Sequence, residues 1–426
     1  MDVSDISHNK WGNGILSMFA SLQQTEFRML WFGTLFSAAA MQMNMVAQSW
    51  LAYDLTGSAA LLGVVAGARS VPMLLFSLVG GLVADRVRKR NLIAMSQSGL
   101  ALSSLTVAIL VHTGLIQIWH LIAVGALQGT CFAFNMPARQ AYIPELVGGR
   151  LLSNAIAIQS TGMNFNRIVA PAVGGVLLTF GPRFPFYTTA LLYSAAVITI
   201  LNLPAGKLVD TGGQSALSDF AGGFRYIWNH KLIRTLLIMA FIPTFLGMPF
   251  MSLLPVFQAD VFQVGPSQLG AMYTAVGVGS LTSSLTIASF SNHPRIRLMQ
   301  MLAGAGFGVF LAAFALSPTF SMGLAALFMV GIFSQGYMVI NQILLMTNTD
   351  RDMFGRVSSI RLITWSLNPI ALLGLGVVID QVGAPPVVAV QGMVLASFIV
   401  VVALLYPVLW RESQAKQPDT QRHIPG

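Results

Sequence analysis

The chain has 426 residues, 55% hydrophobic and 9% charged, with net charge +9 and a mean hydropathy of +0.72. A soluble domain carries about 25% charged residues, so most of this surface faces lipid and a large soluble enzyme is excluded. The single cysteine, Cys131, excludes an intramolecular disulfide and a multi-cysteine metal site.

Crossing a bilayer takes roughly 20 apolar residues. Twelve such stretches follow one another, near 29–53, 59–83, 92–112, 116–137, 152–179, 184–203, 233–257, 268–290, 298–317, 320–346, 357–379 and 386–409. The polar segment before the first lacks the order of regions of a cleavable signal peptide. With the N-terminus in the cytoplasm, the inner segments hold 19 of the 23 Lys and Arg and the outer loops hold one, Arg183. That asymmetry predicts cytoplasmic termini at both ends, and it reads as membrane orientation rather than nucleic-acid binding. The remaining three basic residues, Arg69, Arg167 and Arg361, fall within spans.

The organisation expected is a six-helix bundle with its cytoplasmic N-tail (1–203), a cytoplasmic linker (204–232), a second six-helix bundle (233–410) and a cytoplasmic tail (411–426). In the linker, Leu217, Phe220, Phe224 and Ile227 recur at helical spacing, which predicts an amphipathic helix on the inner leaflet. The halves repeat. A shift of 207 places Leu62-Gly63 on Leu269-Gly270, Asp85 on Asn292, Arg88 on Arg295 and Arg90 on Arg297. A shift of 206 places Asp54 on Asp260, Asn135 on Asn341 and Gly149-Arg150 on Gly355-Arg356. Duplicated bundles around a midplane cavity are the plan of alternating-access transporters.

The first cytoplasmic hairpin reads Gly81-Leu82-Val83-Ala84-Asp85-Arg86-Val87-Arg88-Lys89-Arg90. It resembles the signature G-x-x-x-D-R-x-x-[RK]-[RK] of the major facilitator superfamily at Gly81, Asp85, Arg86, Lys89 and Arg90, with Arg88 in place of a common glycine. The resemblance implies an all-α integral membrane protein of twelve transmembrane helices in two pseudo-symmetric six-helix bundles. It also implies a cytoplasmic gate in which Asp85 pairs with the start of span eleven, where Arg356 and Arg361 stand. Span five carries Ala170-Pro171-Ala172-Val173-Gly174-Gly175, similar to the G-P-x-x-G-G element of the superfamily's exporters, with Ala170 for the first glycine. Span four keeps Gln128-Gly129 of another exporter motif, but Gly125 stands where that motif has arginine. Leu55-Thr56-Gly57-Ser58 and the run from Pro137-Ala138-Arg139-Gln140-Ala141 to Pro144-Glu145-Leu146-Val147 resemble the drug/proton-antiporter-like branch that includes macrolide-efflux and siderophore (enterobactin) exporters.

The resemblance places spans one, four, seven and ten around the substrate cavity. Met41, Gln42, Asn44 and Gln48 lie on span one, Gln128 and Asn135 on span four, Met248 and Met251 on span seven, and Gln335, Tyr337, Asn341 and Gln342 on span ten. Polar groups at lipid depth face protein or water, and each amide fits either a substrate contact or an interhelical hydrogen bond. Methionine surfaces with a few amides suit a bulky amphipathic compound. Arg69 and Arg167 are intramembrane charges, open to a structural pairing or to an anionic, catechol-bearing substrate.

No Gly-rich phosphate loop is present, since Gly206-Lys207 is followed by Leu208. ATP use is therefore excluded, and no cofactor, metal or catalytic residue is expected. The resemblance implies an ion gradient, protons, as energy source, yet no Asp or Glu falls mid-span. Asp54, Asp260 and Asp380 sit at outer ends, Glu26 precedes span one, and His112 and His120 flank an outer loop. The function expected is secondary export of a drug-like compound or siderophore across the cytoplasmic (inner) membrane by a monomer whose partners are its substrate and the bilayer. Uptake of a small metabolite on the same fold and a non-transporting receptor or scaffold are the alternatives.

Overall fold

The computed structural model describes residues 20–206, 224–290, 293–350, 353, 357, 360 and 368–405. The helices, in order, are α1 (Thr25–Thr56), α2 (Ala59–Arg86), α3 (Lys89–His112), α4 (Ile118–Phe180), α5 (Arg183–Leu201), α6 (Lys231–Gly247), α7 (Phe250–Val256), α8 (Pro266–Phe290), α9 (Ile296–Ala315), α10 (Phe320–Asn348), α11 (Asn368–Val382) and α12 (Ala384–Leu405). Of the linker, 224–229 is helical and 207–223 lie outside the described residues, as does the tail from 406 onward.

Punctuation in the sequence sets these boundaries. Gly57 takes φ +59° and its N–H closes α1 onto Tyr53 O at 2.7 Å, a glycine C-cap. Ser58 then caps α2, its hydroxyl accepting from Leu61 N at 3.3 Å. The 63-residue α4 is two helices meeting at Gly148, whose φ of +67° only glycine adopts at little cost. Leu121 and Leu178, near its two ends, share one apolar cluster, whereas Val147 and Ala155, flanking Gly148, share another. The chain therefore doubles back at Gly148, and α4 supplies both the fourth and the fifth expected spans.

Eight of the described helical stretches are long and apolar enough to cross a membrane by length and composition. Twelve such stretches are expected from the sequence. The regions of spans one, five, eight and eleven are helical at their described residues, but they fall outside the eight. The first carries Gln42, Asn44 and Gln48, the second Gln159, Asn164, Asn166 and Arg167, and the third Ser280, Ser283 and Ser284, which lower their hydropathy. Of the eleventh, residues 361–367 lie outside the described residues, so only its second part is counted as a short apolar helix.

Helices of the first half pack on one another, as α3 on α5 and α2 on α4. Those of the second half do the same, as α8 on α10 and α9 on α12. Two extensive crossings join the halves: α4 against α8, and α2 against α11. We call the end that carries the Arg86–Arg90 hairpin the basic face, and the other end the opposite face.

The seventh span shows how lipid-depth backbone is kept satisfied. Pro243 and Pro255 lack N–H groups, so the carbonyls four residues earlier, Met239 and Met251, lose their helical partners. The Tyr337 hydroxyl, from α10, donates to Met239 O. The Tyr273 hydroxyl, from α8, donates to Met251 O at 2.8 Å. A broken span is tolerated in lipid when its neighbours fill the vacated positions.

Tyr337→Phe and Tyr273→Phe should each lower stability by about 1–3 kcal/mol, the cost of a buried acceptor left unpaired. Thermal unfolding in detergent reads this. In a Pro243→Ala background, which restores the missing N–H, the cost of Tyr337→Phe should shrink; equal costs in both backgrounds would contradict the assignment.

Candidate functional site

The amides of the first half face one another. Asn44 Nδ2 donates to Gln48 Oε1 at 3.1 Å and to Gln128 Oε1 at 3.2 Å. Gln128 Nε2 donates to Ser103 Oγ at 3.4 Å, and Gln48 Nε2 reaches Leu121 O at 3.5 Å. All three amide residues are buried, so this network ties α1, α3 and α4 together inside the half. Nearer the basic face, Gln97 Nε2 donates to Ser37 Oγ at 2.7 Å and the buried Arg139 donates to Thr34. Asn135 is also buried, and its Nδ2 has no hydrogen-bond partner among the described residues.

In the second half, Asn341 Nδ2 donates to Leu236 O at 3.0 Å, one turn of α6 before the carbonyl that Tyr337 fills. Tyr337 and Asn341 are buried, Gln335, Met248 and Met251 half-buried, and Gln342 exposed. On α1, Met41 and Gln42 are half-buried, and Met41 packs against the cluster of Leu100, Phe132 and Tyr193.

Two of the expected residues meet across the halves. Arg167 Nη1, midway along the returning part of α4, donates to Gln335 Oε1 of α10 at 3.4 Å. One residue on, Ile168 O accepts from Thr274 Oγ1 of α8 at 3.1 Å. Toward the opposite face come Ser49 Oγ with Tyr273 Oη at 3.3 Å, then Tyr53 donating to Asp260. These contacts form a column of hydrogen bonds between the halves, running from mid-depth to the opposite face. Arg69 is placed differently: its guanidinium lies 4.6 Å from the centre of the Phe132 ring, within the first half.

The span-five element lies on the crossing of α4 and α8. A Cβ built on Gly175 would stand 2.7 Å from Gly270 Cα, and one on Gly270 would stand 2.8 Å from Pro171 O. Gly174 meets Met43 of α1 at 3.0 Å in the same sense, and Ala170 is buried. The glycines are therefore needed for backbone approach between helices, the usual way membrane helices associate. Gly129 abuts Arg69 O of α2 so closely that a Cβ would be 1.9 Å away, and Gly125 packs on Val65 O at 3.4 Å. The close approach of α2 leaves little room for an arginine at 125.

At the basic face, Lys89 Nζ pairs with Glu145 at 2.5 Å and is buried. Arg90 Nη1 donates to Leu203 O at 3.2 Å, while Arg86 is exposed. Gly81 and Asp85 stand in the last turns of α2; the Asp85 side chain, Arg356 and Arg361 lie outside the described residues. Tyr226, in the linker helix, donates to Asp350 Oδ2 at 2.9 Å, and partial burial together with that carboxylate raises its pKa. Sequence reasoning missed the Lys89–Glu145 pair and the Tyr273 contacts. The first could have been sought from the single acid in the Pro144–Val147 run, the second from Pro255.

Among the described residues, no three His, Cys, Asp or Glu side chains come together as a metal site.

Comparison with known proteins agrees with this layout. Residues 16–346 match the family described as transmembrane secretion effector, and the chain belongs to that family, within the major facilitator superfamily. It is 27% identical over 408 residues to the multidrug efflux pump Tap of Mycobacterium tuberculosis, covering 92% of this chain and 96% of Tap. It is 26% identical over 336 residues to the enterobactin exporter EntS of Escherichia coli, covering 77% and 76%. The crystal structure of the nucleoside transporter NupG superposes with a TM-score of 0.72 at 15% identity, covering 91% of this chain and 99% of NupG, a likeness of fold. The protein is a multi-pass membrane transporter and not an enzyme.

Gly175→Val should wedge α4 from α8 and open the opposite face. The expected result is faster maleimide labelling of a cysteine placed at Ser49, in a Cys131→Ala background, by about tenfold, as for a change of some 1.4 kcal/mol in the closing equilibrium. Unchanged labelling would mean that the glycine contact does not hold the face shut.

Proposed function

We propose that this chain is a secondary active exporter of a small amphipathic molecule, a drug-like compound or a siderophore, driven by proton antiport through alternating access. Twelve spans form two six-helix bundles, 1–203 and 233–410, joined by the cytoplasmic linker 204–232 and followed by the tail 411–426. The basic face is cytoplasmic, both termini lie on that side, and the protein works as a monomer in the inner membrane.

The observation that carries the reading is the exporter-like element of span five seated on the other half, Gly175 against Gly270. A transporter must close one face while the other exchanges substrate, and an element whose glycines permit that closure belongs to such a cycle. The efflux activity named for Tap and EntS supports export as the direction. In this reading, the half-buried Met41, Gln42, Met248, Met251 and Gln335 and the exposed Gln342 offer an adaptable apolar surface with a few amide contacts. Arg167 at mid-depth supplies one cation, suited to an anionic group on the cargo. Asp85 locks the cytoplasmic side by pairing with the start of span eleven, at Arg356 and Arg361, within the hairpin of Gly81, Arg86, Lys89 and Arg90.

Purified protein in liposomes with an imposed pH gradient tests this directly, using a cationic dye, a macrolide and a catechol siderophore as cargo. Gradient-dependent movement of at least one compound, abolished by dissipating the gradient and reduced about tenfold or more in Asp85→Asn, is expected, on the scale of a lost charge-assisted contact. Flux that persists at full rate without any proton gradient would overturn proton antiport. Absence of flux for every compound under every gradient would overturn export of this class of cargo.

A further inference from the structure

The superfamily signature accounts for one end of α2, the end on the basic face. The other end of the same helix carries a second arrangement that the signature does not mention. There α2 meets α11 backbone to backbone: a Cβ on Gly376 would stand 2.6 Å from Ala59 O and Ala60 N, and one on Gly63 would stand 2.7 Å from Leu373 Cα. One turn beyond Gly376, the Asp380 carboxylate closes over the start of α2. Its Oδ2 accepts from Ser58 Oγ at 2.6 Å and from Ala60 N at 3.3 Å, and its Oδ1 accepts from Ala59 N at 2.6 Å.

The chemistry suits a reversible contact. The first N–H groups of a helix have no partner within it, and the helix N-terminus carries partial positive charge. A carboxylate that accepts several such donors satisfies them and neutralises that end with charge-assisted bonds. Here the helix belongs to one half and the carboxylate to the other, so separation of the halves at this face must break all three bonds. Asp380 is exposed, so water can take over both sides of the contact once it opens.

The sequence pattern at the two ends is the same. Gly81-Leu82-Val83-Ala84-Asp85 closes α2 on the basic face, and Gly376-Val377-Val378-Ile379-Asp380 closes α11 on the opposite face. In each, the glycine precedes the aspartate by one helical turn. The related crossing of α4 and α8 has Gly175 but places Thr179 four residues on, and that hydroxyl bonds its own helix at Val176 O, 2.6 Å. The carboxylate cap therefore distinguishes the crossing of α2 and α11.

We propose that Asp380 is the counterpart of Asp85 at the opposite face: a carboxylate latch that holds that face closed by capping α2 at Ser58, Ala59 and Ala60, and that is released when the face opens. The latch deepens the alternating-access reading and rests on it. One helix pair then carries a latch at each end. α2 offers its aspartate to α11 on the cytoplasmic side, and α11 offers its aspartate to α2 on the outer side.

Spin labels at Thr113→Cys and Pro318→Cys, in a Cys131→Ala background, report the distance across the opposite face by pulsed electron resonance without any substrate. The parent should give mainly one short distance. Asp380→Ala should add a longer one and raise the open-to-closed ratio about tenfold or more, as fits the loss of several charge-assisted bonds. Ser58→Ala, which leaves the bonds to Ala59 and Ala60, should give a smaller shift, and Asp85→Asn should not raise the ratio. If Asp380→Ala does not fold, Asp380→Asn, which keeps the size and loses the charge, takes its place, with the shift in the same direction. If Gly175→Val lengthens the distance and the Asp380 variant matches the parent, the latch is wrong and the rocking motion stands. If no variant lengthens it, rocking itself is contradicted, and the latch with it.

Discussion

Two helical halves immersed in lipid gain little by burying oily surface against each other, because the lipid is as apolar as they are. What joins them has to be close packing and hydrogen bonds. In this protein the close packing is concentrated at the two crossings, α4 with α8 and α2 with α11, while the hydrogen bonds also run from α1 to Tyr273 and Asp260 and from α4 to α10. Gly175 faces Gly270, and Gly63 and Gly376 let α2 and α11 touch along their backbones. Hydrogen bonds from Arg167–Gln335 outward to Asp380 and Ser58 then fix the register of one half on the other. A contact of this kind is broken by small rotations, since a shift of about an ångström already forfeits much of the attraction between packed atoms. The same features that close the face therefore allow it to open.

The interior of each half is arranged on a different principle. Asn44, Gln48 and Gln128 link three helices of the first half, and Tyr337 and Asn341 fasten α10 to α6 in the second. These groups tie the helices of each half together, while Arg167, Gln335, Gln42 and several methionines lie on partly open surfaces, where the proposed substrate would meet them. The prolines of the seventh span fit the same division. Pro243 lies inside α6 and Pro255 inside α7, each leaving a carbonyl without its helical partner, and tyrosines from two neighbouring helices take up those carbonyls.

Much of this was legible in the sequence, for reasons that differ from feature to feature. Membrane character and the all-helical class follow from composition, because so few charges cannot coat a soluble globule. The repeat that places Leu62-Gly63 on Leu269-Gly270 has a physical basis: each glycine lies where its half meets the other, and each leucine before it is buried. The amides were harder. Spacing puts Asn44 and Gln48 on one face of a helix, but it cannot say whether that face meets a cavity or another helix, and here Gln128 and Ser103 provide partners within the half. Long-range pairs such as Lys89 with Glu145, or Asp380 with the start of α2, depend on which helix ends meet in space, and no local pattern encodes that.

Transport by alternating access requires the face closed by these contacts to open in every cycle. Cysteines at Tyr53 and Asp260, whose side chains meet across the halves at that face, can be joined by a short bifunctional methanethiosulfonate, which forms a reducible disulfide with each, in a Cys131→Ala background. Gradient-driven flux in liposomes is then measured before cross-linking, after it, and after reduction. Flux is expected to be lost on cross-linking and to recover on reduction. Full flux from a fully cross-linked protein would contradict it.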